Sequence, residues 1–170
     1  AGPEAIAREL FPLPMLLSHL TEEGLPFMLK AKYLRVLDEA YFYTNLPKGS
    51  DILNAPEMAQ MIDMFAKLVD KIACDTLPSL TYERADDNAE GEEASRPHEL
   101  IEFGICSVMQ TLRLFYTNHY VSADEMGADQ VAPIEAASKR FCKALLRLHA
   151  AVDGPASDQL PQLRMLRELT

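Results

Sequence analysis

The sequence predicts an all-α fold built from helical hairpins, and three observations predict it. Apolar residues recur at helical spacing almost throughout the 170 residues. No stretch alternates apolar and polar residues as a half-buried strand would. Two long helical patterns flank a polar interruption, and the first helix of each ends in Phe-Tyr-Thr-Asn, at Phe42–Asn45 and Phe115–Asn118. The duplication points to hairpin repeats stacked as a solenoid fragment, with a compact helical bundle as the alternative.

In chain order, a short helix is predicted around Met15 to Leu20. A longer one runs from about Pro26 to Tyr43, with Leu34, Val36, Leu37, Ala40 and Tyr41 as apolar surface, and Asn45, Pro47 and Gly49 stop it. The clearest stripe is Met58, Met61, Ile62, Phe65, Leu68, Val69 and Ile72, one face of a helix over roughly 55–77. Asn54 can cap it, Pro56 suits its first turn, Glu57 complements the positive end of the dipole, and Pro78 follows its end. From Thr81 to Arg96 the chain is acidic, holding Glu83, Asp86, Asp87, Glu90, Glu92 and Glu93 with almost nothing apolar, and a mobile surface loop is expected over 81–96. The second pair spans about Pro97 to Asn118, with Ile101, Ile105, Val108, Leu112 and Phe115, and about Asp129 to Val152, with Ile134, Phe141, Leu145 and Leu148. Gly154-Pro155 ends the latter, and a last short helix is predicted over Leu160 to Leu169.

One domain accommodates residues 1–170, and a chain of this size buries roughly 70% of its unfolded surface. Hydrophobic residues make up 48% and mean hydropathy is -0.09, yet no apolar run approaches the roughly 18 residues of a membrane-spanning helix. A formal charge of -10 argues against nucleic acid and anionic membrane surfaces as partners, since both demand clustered Lys and Arg. Cys74, Cys106 and Cys142 are odd in number and lie within apolar helical patterns, so they read as buried thiols in a reducing, cytosolic setting. There is no secretory signal at the start, and an end at Leu169-Thr170 in mid-pattern reads as a piece of something longer.

Candidate chemistry is sparse. Asp86-Asp87-Asn88-Ala89-Glu90 matches the acidic pattern with which prenyl-chain enzymes hold magnesium and diphosphate. Those carboxylates need a helix wall and a dry cavity, whereas here they sit in a polar stretch with no second metal motif, so a solvated loop is the expectation. His19, His98, His119 and His149 form no Glu-x-x-His or His-x-x-x-His pair, so structural or surface roles are expected of them. The cysteines lack CxxC spacing, the serines lack a G-x-S-x-G elbow, and the glycines form no phosphate-cradling loop. Catalytic, cofactor-binding and metal residues are therefore all predicted to be none. Met58, Met61, Met64, Met109 and Met126 read as core before they read as an adaptable groove. Lys30, Lys32 and Arg35 read as one small basic helix face, solvated in preference to docked on an acidic neighbour.

The stretch Leu25-Pro26-Phe27-Met28-Leu29-Lys30-Ala31-Lys32-Tyr33-Leu34-Arg35-Val36-Leu37-Asp38-Glu39-Ala40-Tyr41 resembles a helix opening in the cytosolic helical region of the inositol trisphosphate receptor and ryanodine receptor family. Pro26, Lys30, Tyr33, Leu37 and Tyr41 fall in register with that pattern. Met61 to Ile72 is similar again through Phe65 and Leu68-Val69-Asp70, and a variable polar stretch before another helix pair extends the likeness over about 25–150. The family continues its first helix with Val-Asp, where this chain has Phe42-Tyr43-Thr44-Asn45, so the resemblance is to a distant member.

The resemblance implies an armadillo-like solenoid in a homotetrameric calcium-release channel. This segment would lie on the cytosolic face of the endoplasmic reticulum membrane and contact neighbouring domains or subunits. The family's ligand-binding and pore residues belong to other regions, so no functional residue carries over. The sequence therefore predicts a non-catalytic coupling segment. The alternatives are a free-standing acidic adaptor that grips partner helices and, more remotely, a magnesium-dependent prenyl-type enzyme holding the ion on Asp86, Asp87 and Glu90. A helical stack contacts mainly its neighbours and can pass a small rotation along its length, which is the physical content of the coupling role.

Overall fold

The computed structural model describes residues 2–43, 56–79 and 96–152. The described elements are all helical, with no strand among them. In order they are α1, Pro3–Leu10; α2, Leu13–Thr21; and α3, which is α-helical over Phe27–Leu37 and continues as a π-helical turn over Asp38–Phe42. Helix α4 runs Pro56–Lys71 and then a π turn, Ile72–Thr76. Helix α5 opens as Arg96–Glu102, passes through a π turn at Phe103–Val108 and closes as Met109–Asn118. The short α6, Ala123–Met126, precedes α7, Ala128–Val152.

The expected helices over 15–20, 26–43, 55–77, 97–118 and 129–152 thus have counterparts in α2, α3, α4, α5 and α7. Helices α1 and α6 were not foreseen, because α1 presents Ile6 and Leu10 outward and contributes no buried residue. The stop at Asn45 to Gly49, the Asn54 cap, the end at Gly154-Pro155 and the helix over 160–169 lie outside the described residues, as does nearly all of the acidic 81–96 stretch. Thr44 and Asn45 of the first Phe-Tyr-Thr-Asn lie outside them too.

Buried apolar side chains from α2, α3, α4, α5 and α7 join in one contiguous cluster, with Leu16, Leu17, Leu20, Met58, Met61, Ile62, Phe65 and Phe115 fully enclosed. The α4 stripe read from the sequence faces this cluster. Long elements pair in parallel. The Phe42 carbonyl accepts from Asn118 and His119, 76 and 77 residues on, and Phe27 meets Phe103 at 5.4 Å between ring centroids, so α3 and α5 run the same way. Asp63 pairs with Arg140 and Asp70 with Arg147 at 2.6 Å, both 77 residues apart, so α4 and α7 do likewise. Each such half-exposed ion pair is worth roughly 0.2–1 kcal/mol. A single buried Leu or Phe contributes about 1.5–3 kcal/mol. Apolar packing therefore holds α4 on α7, and the ion pairs trim its register.

The three π turns were not legible from a 3.6-residue period. Each accommodates one more residue per turn than an α-helix, which moves the following side chains about 100° around the axis. In α3 this lets the consecutive Ala40, Tyr41 and Phe42 all be buried. Tyr41 donates to the Phe11 carbonyl at 3.0 Å between α1 and α2, while Phe42 turns to Phe115 and His119 of the α5 end. In α5 the run Phe103, Gly104 and Ile105 is buried on the same grounds. Gly104 lies against α4, and a Cβ there would meet Ile72 Cδ1 at 2.5 Å. Further along, Ser138 Oγ donates to the Ile134 carbonyl at 2.6 Å, so the hydrogen bond of 2.5 Å between Tyr116 and Ser138 has the phenol as donor and ties α5 to α7.

Two expectations are corrected. The cysteines are exposed, not buried. On α7 the core face is Ile134, Ala137, Phe141, Ala144 and Leu148, and Cys142 stands one residue off that row. Cys74 follows the buried Ile72-Ala73, and Cys106 follows the buried Phe103-Gly104-Ile105. The basic face is also broken up: Lys32 and Arg35 are exposed, but Lys30 is 4% exposed and reaches Met64 Sδ at 3.9 Å. Lys30, Leu34 and Asp38 share one i, i+4 row, which turns inward with Leu34. Burial lowers the Lys30 ammonium from its usual range, opposed by Glu22 and Glu23.

Candidate functional groove

Helix α3 and the π turn of α5 leave an open groove of about 550 Å³ between them. Met28, Ala31 and Leu34 supply its apolar wall from α3, and Cys106, Ser107, Gln110 and Thr111 face them from α5. A smaller lobe of about 290 Å³ adjoins it, sharing Met28, Ala31 and Ser107 and closing at Phe103, Glu99 and Glu102. Met28, on the shared wall, is 67% exposed. At the rim Arg35 Nε pairs with Glu39 at 2.9 Å, and Gln110 Nε2 donates to the Tyr43 phenol oxygen at 2.9 Å.

Asp38 occupies the floor. The α-helical part of α3 ends at Leu37 and the π turn starts with Asp38, so its carboxyl is carried inward on the Leu34 row and is only 7% exposed. Its Oδ1 and the Thr111 Oγ1 of α5 are both buried without a hydrogen-bond partner. Burial pushes the Asp38 carboxyl up to about 6. The nearby Thr111 hydroxyl opposes the rise without closing a bond of normal geometry, and the Glu39 charge adds to it.

A folded pKa of about 6 against an ordinary 3.8 means that the native chain keeps a proton which the unfolded chain loses between those values. This group therefore destabilises the fold progressively as pH rises from 3.8 to about 6, by a constant amount above that, and not at all below. Allowing for solvent at the open groove, Asp38→Asn is expected to raise unfolding stability at pH 7 by about 1–2 kcal/mol and to bring no gain at pH 3.5. Urea unfolding at both pH values checks it, and equal gains at both would contradict the assignment.

Among the described residues the groove contains no assembled nucleophile. Cys106 lines it, and although the residue is exposed, partial desolvation of its thiol first and Glu102 second push that thiol up, which keeps it protonated, and no histidine among the described residues lines the same wall. The histidines are dispersed: His19 stacks on Tyr33, His98 and His149 are exposed, and His119 is buried with Nε2 3.0 Å from the Phe42 carbonyl. Among the described residues no three His, Cys, Asp or Glu side chains come together around a possible metal ion. Asp86, Asp87 and Glu90 lie outside the described residues. Met58 and Met61 are fully enclosed and Met64 and Met109 half-buried against the core, so none of these four lines the groove. No described helix is long and apolar enough to cross a membrane.

Sequence reasoning missed Asp38 and Thr111. The available signal was the i, i+4 row that aligns Asp38 with Leu34. The chain matches no family model, no curated protein and no solved structure.

Proposed function

We propose that this chain is a non-catalytic helical docking and coupling segment whose working surface is the groove between α3 and α5. The observation that carries the reading is an apolar-walled concavity bordered by the exposed Met28 and lacking an assembled catalytic set. The parallel pairing of α3 with α5 and of α4 with α7 supports stacked hairpins, the arrangement of an armadillo-like solenoid.

Membership of a calcium-release channel at the endoplasmic reticulum, as a coupling segment of a homotetramer, rests on the α3 stripe that resembles that family. The groove itself favours the second reading, a free-standing adaptor that grips a partner helix. The full reading frame separates the two. Pore helices toward its C-terminus and a ligand-binding region toward its start support the channel, and a frame ending near these residues leaves the adaptor.

Docking is tested in the full-length protein with a photo-cross-linker on Cys106, after Cys74→Ser and Cys142→Ser. The control carries the same reagent on Cys142 of α7, after Cys74→Ser and Cys106→Ser. A single apolar-faced segment joined at Cys106 in several-fold excess over Cys142 is expected, and equal, scattered products overturn the docking reading.

A further inference from the structure

We infer that the chain's own segment 160–169 docks in the smaller lobe of this groove and competes there with any other partner. The inference rests on the docking reading and names the occupant. The segment itself lies outside the described residues. The lining of the lobe, its charge and the place where α7 ends all point to it.

The lobe of about 290 Å³ is walled by Phe27, Met28, Ala31 and Phe103, and its charged residues are Glu99 and Glu102, both exposed. Among the described residues no cation lines it. A fitting occupant therefore carries apolar side chains on one face and positive charge beside them. In 160–169, Leu160, Leu163 and Leu166 recur at three-residue spacing, and on a helical projection Arg164 and Arg167 both fall on the Leu160 flank of that stripe. Those two arginines stand against the single Glu168, which makes the segment locally basic in a chain of formal charge -10.

The chain also delivers the segment to the right end of the groove. Asp63 pairs with Arg140 and Asp70 with Arg147 at the same offset of 77, which sets the π turn Ile72–Thr76 beside the end of α7 at Val152. That π turn packs on α7 and also on Arg96–Glu102. The end of α7 is therefore within two helix spacings, roughly 16–20 Å, of Glu99 and Glu102. Residues 153–159 reach up to about 24 Å when extended. A tether of this length holds the segment at an effective concentration on the order of millimolar, an advantage that a second copy carrying the same residues lacks.

In the full-length protein the photo-cross-linker on Cys106 should join 160–169 of the same chain, in a product of monomer mass whose yield is unchanged by tenfold dilution. Leu163→Asp combined with Leu166→Asp should cut that yield severalfold and move the NMR signal of the Met28 methyl, with the helical circular dichroism kept. The probe in trans is a synthetic peptide of residues 157–170. It should move the Met28 methyl of that variant saturably, at concentrations roughly tenfold below those the unaltered chain needs, because only the latter has a competing tethered copy. Glu99→Gln combined with Glu102→Gln, both at exposed positions, should weaken the peptide severalfold and flatten its salt dependence.

A product of dimer mass, or a yield that falls on dilution, assigns the occupant to a second copy and overturns the inference. Equal peptide response from the variant and the unaltered chain overturns it as well. Capture of a segment from another protein at Cys106 overturns it while leaving docking in place. Scattered products with no saturable peptide shift overturn the inference and the docking reading together.

Discussion

Phe42→Ala is expected to destabilise the fold by about 3–5 kcal/mol, the range for truncating an enclosed aromatic. Phe42 is fully buried at the end of the α3 π turn, with ring centroids 5.8 Å from Phe115 and 5.4 Å from His119. Its own carbonyl sits at a helix terminus, where the last acceptors lack intrahelical donors. Asn118 and His119 supply those donors from the end of α5, each at 3.0 Å. Side chain and backbone at one residue thus join the same two helices, and a cavity under the ring loosens both contacts. Against a typical total of about 5–15 kcal/mol, the loss is a large fraction. Urea unfolding with an unchanged denaturant slope measures it. A loss below about 1 kcal/mol would mean that the α3–α5 junction is not close-packed.

At Gly104 the expected result depends on two opposing effects. Alanine gains up to about 1 kcal/mol of helix propensity over glycine. Its Cβ, however, would lie 2.5 Å from Ile72 Cδ1 and 3.1 Å from Leu68 Cδ2, in a place where overpacking costs about 1–3 kcal/mol. Gly104→Ala should therefore be neutral to mildly destabilising. Gly104→Val adds bulk with less propensity gain and should cost about 2–3 kcal/mol. The clash is with the far end of one side chain, which makes it testable. Ile72→Val alone should cost about 0.5–1.5 kcal/mol, but in the Gly104→Ala background it removes the offending methyl and should cost less or stabilise. Additive losses in that double-mutant cycle would falsify the close approach of α5 to α4.

Helical periodicity made α4 legible because its apolar stripe is long and regular, and Met58, Met61, Ile62, Phe65, Val69 and Ile72 are all enclosed. What it concealed arises where the period changes. Ala40-Tyr41-Phe42 and Phe103-Gly104-Ile105 are runs of neighbours too wide for one α-helical face, and such runs were the available sign of π turns. The outward cysteines follow two of those shifts and a one-residue step on α7. Asp38 was illegible as a site residue because its acidic neighbour Glu39 suggested a solvated turn, although its i, i+4 relation to Leu34 placed it on the inner row. Thr111 gave no signal of its own, since the Asp38 carboxyl that it neighbours stands on a helix distant in sequence.

The α5 π turn has a further consequence for the groove. Thr111, Leu112 and Phe115 lie beyond it, while Glu99 and Glu102 lie before it. The two ends of the same helix are thereby set out of phase, so that Glu99 and Glu102 border the smaller lobe of the channel and Thr111 its main groove. A continuous α-helix of the same composition would aim those groups in different directions. The channel is an angular offset stored in one extra residue, and its alignment is only as durable as that residue's place in the turn.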